Sequence, residues 1–196
     1  IIIKKIFKYH PTLKGKFSRY DGYSRITMQK ADPPIIKDLV EKISKPQKLQ
    51  YDCFSSPLTR AQDSAKIFLN SYKTTSELKE IRFDLTKLVT REEFQNEGSI
   101  LVRKRFVESF IEYSLEEPVN KIEKRIESLM IILKQAEAES LLCISHSFFM
   151  KILQAYVESD QKLFENRAIL TKFIEPKKKT FDFGKGFTFL LSDLTI

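Results

Sequence analysis

The side chains in this sequence that invite chemistry are its two histidines, His10 and His146, and an arginine at the start of a helix, Arg60. An imidazole can attack an electrophile or exchange a proton near neutral pH. A guanidinium offers a planar fork of N–H donors that fits carboxylate and phosphate oxygens. Arg60 belongs to the run Ser55-Ser-Pro-Leu-Thr-Arg-Ala-Gln-Asp-Ser-Ala65. Ser55 and Ser56 supply hydroxyls suited to a helix N-cap, and Pro57 suits the first helical position because it has no N–H to leave unpaired. Leu58, Ala61, Ala65 and Phe68 follow at helical spacing, so Arg60 lies in the first turn, away from the apolar face. Unpaired backbone N–H groups, the positive end of the helix dipole and a guanidinium together favour an anion, most commonly phosphate. The plain alternative is a solvated surface arginine.

The elements that must position these groups can be read from the apolar pattern. Residues 1–9 are rich in Ile, Phe and Tyr and predict a first strand, ended by His10-Pro11. Residues 12–27 predict a long surface loop carrying Lys14, Lys16, Arg19 and Arg25. Asp32-Pro33-Pro34 opens a helix with Ile35, Ile36, Leu39, Val40 and Ile43 on one face, closed by Lys45-Pro46. Residues 51–54 predict a buried strand leading into the Arg60 helix. Residues 76–83 alternate apolar and charged and predict an edge strand. Residues 86–117 are charged and loosely helical, with Val107, Phe110 and Ile111 as anchors, and predict a helical insertion or lid.

Pro118 begins an amphipathic helix whose buried face is Val119, Ile122, Ile126, Leu129, Leu133 and Ala136. Residues 141–145 form a fully apolar run, as expected of a central parallel strand, and end at His146-Ser147. A helix follows with Phe149, Ile152, Leu153 and Tyr156 turned inward. Residues 168–174 and 187–191 predict two last strands. The alternation predicts an α/β fold: three layers, a largely parallel central sheet with helices on both faces, and a helical insertion near 86–117. One domain accounts for residues 1–196. In such a sheet the strand ends at His10, at Ser55–Arg60 and at His146 lie on one edge, where open α/β sheets bind ligands.

Composition bounds the reading. Forty-two per cent hydrophobic and 31% charged residues are ordinary for a globular domain, and 16 Phe provide core material. The net charge of +8 suits an anionic partner, but the lysines are dispersed along helix faces. Lys177-Lys178-Lys179 reads as a solvated loop. No zinc spacing, RNP-like aromatic motif or basic coiled coil argues for nucleic acid. No apolar run reaches the ~18 residues of a membrane span. The N-terminus goes directly into strand-like sequence, and no leader is expected. Cys53 and Cys143 lie in apolar strand-like runs, which predicts buried free thiols in a reducing, cytoplasmic setting.

Taken in order, these segments resemble the histidine phosphatase superfamily, the phosphoglycerate-mutase-like family. Ser55-Ser-Pro-Leu-Thr-Arg-Ala-Gln-Asp-Ser-Ala65 is similar to that family's Ser-Ser-Pro-Leu-x-Arg-Ala-x-x-Thr/Ser-Ala motif at nearly every position. Leu78-Lys-Glu80 with Ile81 and Phe83 resembles its Leu-x-Glu segment, and Ile144-Ser-His146 its Val-Ser-His-Gly strand end. His10 falls where the Arg-His-Gly motif carries the nucleophile, and Thr27 resembles the Thr that opens the first helix.

The resemblance implies phosphoryl transfer through a phosphohistidine. His10 would be the nucleophile, Arg60 and His146 would bind phosphate oxygens, and Glu80 would protonate the leaving oxygen and later activate water. Lys16, Arg19 and Ser147 are further phosphate-binding candidates. Neither a cofactor nor a metal is called for. The partner would be a phosphorylated small molecule or a phosphoprotein, with no nucleic acid and no membrane; oligomeric state is open. The modest insertion argues against a mutase.

The sequence departs from the pattern beside the nucleophile. The family's Arg is Tyr9 here and its Gly is Pro11. Losing a charged hydrogen bond worth roughly 1.5–3 kcal/mol costs about 10- to 100-fold in transition-state binding unless another cation replaces it. Lys8, Lys14, Lys16 and Arg19 are the replacements at hand. The family's Gly after Ser-His is Ser147, and Asp84 replaces the usual Gly after the Glu segment. A non-catalytic anion-binding module is therefore the alternative to an enzyme.

Overall fold

The computed structural model describes residues 2–4, 51–68, 71–138, 140–174 and 186–194. The described strands are β1 (Ile2–Lys4), β2 (Tyr51–Ser55), β3 (Lys73–Thr74), β4 (Ser140–Ile144) and β5 (Gly186–Thr188). They form one sheet in the order β3-β2-β4-β1-β5. β4 is parallel to both its neighbours, β2 is parallel to β3, and β5 runs antiparallel to β1. The described helices are α1 (Thr59–Phe68), α2 (Leu85–Leu88), α3 (Arg91–Ile111), α4 (Val119–Lys134), α5 (Ser147–Glu158) and α6 (Arg167–Phe173). This is the expected α/β architecture, a largely parallel sheet flanked by helices.

β4 is central for the reason its sequence gives. Leu141, Leu142, Cys143 and Ile144 are all buried, so both faces of the strand are covered. α4 buries Val119, Ile122, Ile126, Leu129, Met130 and Leu133, the expected stripe plus Met130. Ala136 lies beyond the helix end and is half-buried. α5 buries nearly its whole circumference, including Phe149, Ile152, Leu153 and Tyr156.

An aromatic cluster joins the elements nearest the strand ends. Phe106 of α3 stacks on Phe148 of α5 at 3.9 Å between ring centroids, and Phe83 meets both edge-on at 5.2 and 5.5 Å. Each such pair adds about 0.5–1.5 kcal/mol beyond burial. The helices expected between 86 and 117 are thereby anchored to the first turn of α5. α3 starts on a capping box: Glu93 N–H donates to Thr90 Oγ1 (3.2 Å), and Thr90 N–H donates to Glu93 Oε2 (2.8 Å). Gly98 interrupts it at φ 61°, ψ −142°.

Three expected elements differ. The edge strand over 76–83 is not a strand: a 3₁₀ turn at Ser76–Leu78 is followed by irregular chain to Asp84. Leu78, Ile81 and Phe83 are all buried, so the apolar residues anchor a passing segment rather than line one face of a ladder. The strand expected over 168–174 is helix α6. Asn166 caps it, accepting from Ile169 N–H at 3.0 Å, and Leu170 and Ile174 are buried at i, i+4 spacing. The last strand is shorter than expected and gives way to a 3₁₀ turn at Leu191–Asp193. The remainder of the first strand, the 12–27 loop and the helix expected from Asp32 lie outside the described residues.

Candidate functional site

β2 and β4 end in register, with Ser55 opposite Ile144. The pairing continues one residue further, since Ser56 N–H donates to the Ile144 carbonyl at 2.9 Å. The two chains therefore leave the carboxyl edge of the sheet side by side. That places Ser56 Oγ 2.8 Å from His146 Nε2, with both residues fully buried. Ser56 Oγ also accepts from Leu58 N–H at 3.3 Å. A hydroxyl that accepts there can donate to Nε2, an arrangement that leaves the proton of a neutral His146 on Nδ1.

The same contact moves the start of the Arg60 helix. Pro57 and Leu58 form a bend, and α1 begins at Thr59, two residues after the expected first position. The serine hydroxyl is committed to His146 and Leu58, and the Leu58 carbonyl takes the first helical bonds, from Ala61 and Gln62. Arg60 remains in the first turn of α1; its side chain lies outside what is described.

His146 is the N-cap residue of α5, but its side chain makes no capping bond. Glu80 does so from another segment. Its Oε1 accepts from Phe149 N–H at 3.0 Å and its Oε2, at a longer 3.4 Å, from Phe148 N–H. Two peptide N–H groups at the positive end of the helix dipole hold the carboxylate at the start of α5. His146, Ser147 and Glu80 thus meet at one helix end. Ser147, the first residue of α5, is half-buried.

The segment bearing Glu80 is fixed on both sides. Two residues before it, the Leu78 carbonyl accepts from Ser145 Oγ at 2.7 Å, a buried bond. Two residues after it, Arg82 N–H donates to Glu117 Oε2 at 2.8 Å, and Glu117 N–H returns to the Arg82 carbonyl at 3.3 Å. Glu117 is itself buried and lies 3.3 Å from Nη2 of Arg125. This arrangement can hold a carboxylate, an imidazole and a set of N–H donors at the mouth of a parallel sheet.

Of the residues singled out in the sequence, the structure brings together Glu80, His146 and Ser147, with His146 held to Ser56, three residues before the Arg60 helix. His10, Lys16 and Arg19 lie outside the described residues. Sequence reasoning missed Ser56 as the partner of His146, and it missed the Glu117–Arg125 pair. Arg125 had a signal: it stands three residues after Ile122 and four before Leu129, within an apolar stripe. Among the described residues no three His, Cys, Asp or Glu side chains gather as metal ligands would.

Comparison with known proteins now bears on this geometry. A solved structure described as "a putative alpha-ribazole-5'-P phosphatase", from Escherichia coli K-12, superposes with a TM-score of 0.59 over 93% of this chain and 86% of its own, at 14% identity. At that identity the likeness is one of fold. A search of curated proteins finds no match. The model of the histidine phosphatase superfamily (branch 1) matches residues 36–171, well over half of the chain and inclusive of the 55–65 run, Glu80 and His146. The chain belongs to the histidine phosphatase superfamily.

Proposed function

We propose that the protein is a phosphomonoester hydrolase that works through a phosphohistidine on His10. The observation that carries this reading is the meeting of His146 and Glu80 at one helix N-terminus, with His146 held to Ser56 just before the helix that bears Arg60. A ring nitrogen of His10 attacks phosphorus, the N–P bond forms, and the P–O bond to the leaving group breaks. Glu80 gives its proton to the departing oxygen. Arg60 and His146 bind the non-bridging oxygens, with Lys16, Arg19 and the helix-start residue Ser147 completing the clamp that Tyr9 leaves open. Water then attacks phosphorus, Glu80 takes its proton, and phosphate leaves as His10 is regenerated.

The substrate class is a phosphorylated small metabolite or a phosphoprotein, and the description of the Escherichia coli neighbour supports the former. Two buried free thiols, Cys53 and Cys143, support a cytoplasmic setting. Among the described residues no helix is long and apolar enough to cross a membrane.

Turnover of p-nitrophenyl phosphate by the wild type, abolished in His10→Ala together with an acid-labile phosphoryl label, is the expected result. Turnover unchanged in His10→Ala refutes the mechanism. Tyr9 and Pro11 favour a second reading, an anion-binding module without efficient chemistry. Phosphate binding with no turnover in either protein selects it.

A further inference from the structure

Arg125 is a cation set in the apolar stripe of α4, with only 15% of its side chain exposed. Burial weakens its hold on the proton, and Glu117, Glu80 and Glu77 strengthen it in that order, against a smaller opposing effect of Arg82. A guanidinium keeps its charge under such conditions. Nη2 lies within ion-pairing distance of Glu117 Oε1, at 3.3 Å. The pair is not aligned as a hydrogen bond, and Nε and Nη2 make none with any described residue. Coulomb attraction is far less directional than hydrogen bonding, so the ion pair holds at this distance without that alignment.

What the guanidinium touches is specific. Its central carbon lies 4.9 Å from the ring centroid of Phe149, the residue whose N–H holds Glu80 Oε1. Its ion-pair partner Glu117 holds the backbone two residues beyond Glu80, through Arg82 N–H. One side chain therefore braces both the donor that grips the carboxylate and the chain that carries it.

We propose that Arg125 is the positioning residue of the Glu80 carboxylate: seated on Phe149 and paired with Glu117, it fixes where that carboxylate stands and keeps a cation near it. The proposal rests on the reading of Glu80 as the proton donor and acceptor of the reaction. An arriving phosphate dianion opposes the attraction of that cation and favours protonation of Glu80 as substrate docks; Arg125 sets the starting point from which that change occurs.

The sign is fixed by charge. A nearby cation lowers the proton affinity of a carboxyl, so its removal raises it. The test follows the Glu80 carboxyl by carbon-13 NMR, its resonance assigned by its absence in Glu80→Gln. In Arg125→Met the titration midpoint moves up. In Arg125→Lys, which keeps a cation over the Phe149 ring, it moves by less than about half as much. The basic limb of kcat/KM on an alkyl phosphate, whose alkoxide needs a proton to leave, follows the same displacements. A merely structural defect lowers the whole profile and leaves the limb in place.

A Glu80 midpoint unchanged in Arg125→Met overturns the proposal, whether or not the protein turns over phosphate esters. If that variant does not fold, an unchanged midpoint in Arg125→Gln does so. An Arg125-dependent midpoint in a protein that hydrolyses no ester leaves the positioning role standing and overturns the phosphatase reading instead.

Discussion

Ser56→Ala removes one oxygen from a place where water cannot replace it. That oxygen serves His146 Nε2 at 2.8 Å and Leu58 N–H at 3.3 Å. Ser56 and His146 are both at 0% exposure, whereas Leu58 is half-buried. Depriving a buried polar atom of its partner costs about 1–3 kcal/mol, while a partly exposed N–H regains most of its bond from solvent. The expected loss is therefore about 2 kcal/mol, nearly all of it from Nε2. For a chain of this size that is roughly 4–8 °C in Tm. Urea titration at neutral pH reads it as a lower midpoint with an unchanged slope. Ser114→Ala is the control. Ser114 Oγ also donates a hydrogen bond, to the Ser109 carbonyl at 3.2 Å, but at an exposed position, and its loss should stay within about 0.5 kcal/mol. Equal losses in the two variants would refute the reasoning, because burial of the His146–Ser56 contact would then carry no energetic weight.

Two further outcomes follow from other parts of the molecule. Gly98→Ala should destabilise the protein by about 1–3 kcal/mol in the same titration, because φ 61°, ψ −142° lies close to territory nearly reserved for glycine. A Cβ there would meet nothing within 4 Å, so a neutral result would mean that the backbone of α3 relaxes freely. The thiols should be inert in the native state: burial, reinforced by Asp52, pushes Cys53 up to about 12, and burial pushes Cys143 higher still. A thiol reagent at pH 8 should titrate neither in the folded protein and both in urea; native labelling of either would contradict their burial.

Much of the architecture was legible because the signals were periodic or chemically singular. The stripe of α4 and the apolar run of β4 each follow one period over enough residues to fix type and placement. Ser55–Ala65 was legible because a strand end, a cap and an arginine fall in one short run. The failures share a cause. Residues 76–83 and 168–174 are short, and their apolar residues suit either a strand or an anchored turn. Tertiary contacts decided the first, which Ser145 and Glu117 tie down, and a local cap at Asn166 starts the second. The α1 start slipped because the hydroxyl expected to cap a helix was taken by a histidine 90 residues away in sequence. Glu80 was legible only through its motif, since nothing local says that a carboxylate will reach across to another helix. Arg125 was visible as an arginine in an apolar stripe, but its Glu117 and Phe149 partners come from other segments.

The outer strands of the sheet bear on behaviour at high concentration. Among the described residues β3 has two, one of them Lys73, and β5 has three. A rim this brief gives an incoming chain few free peptide groups to zip onto, and the lysine charge repels a second copy of itself. Among the described residues, both margins thus guard a hydrophobic sheet centre against fibre-like stacking.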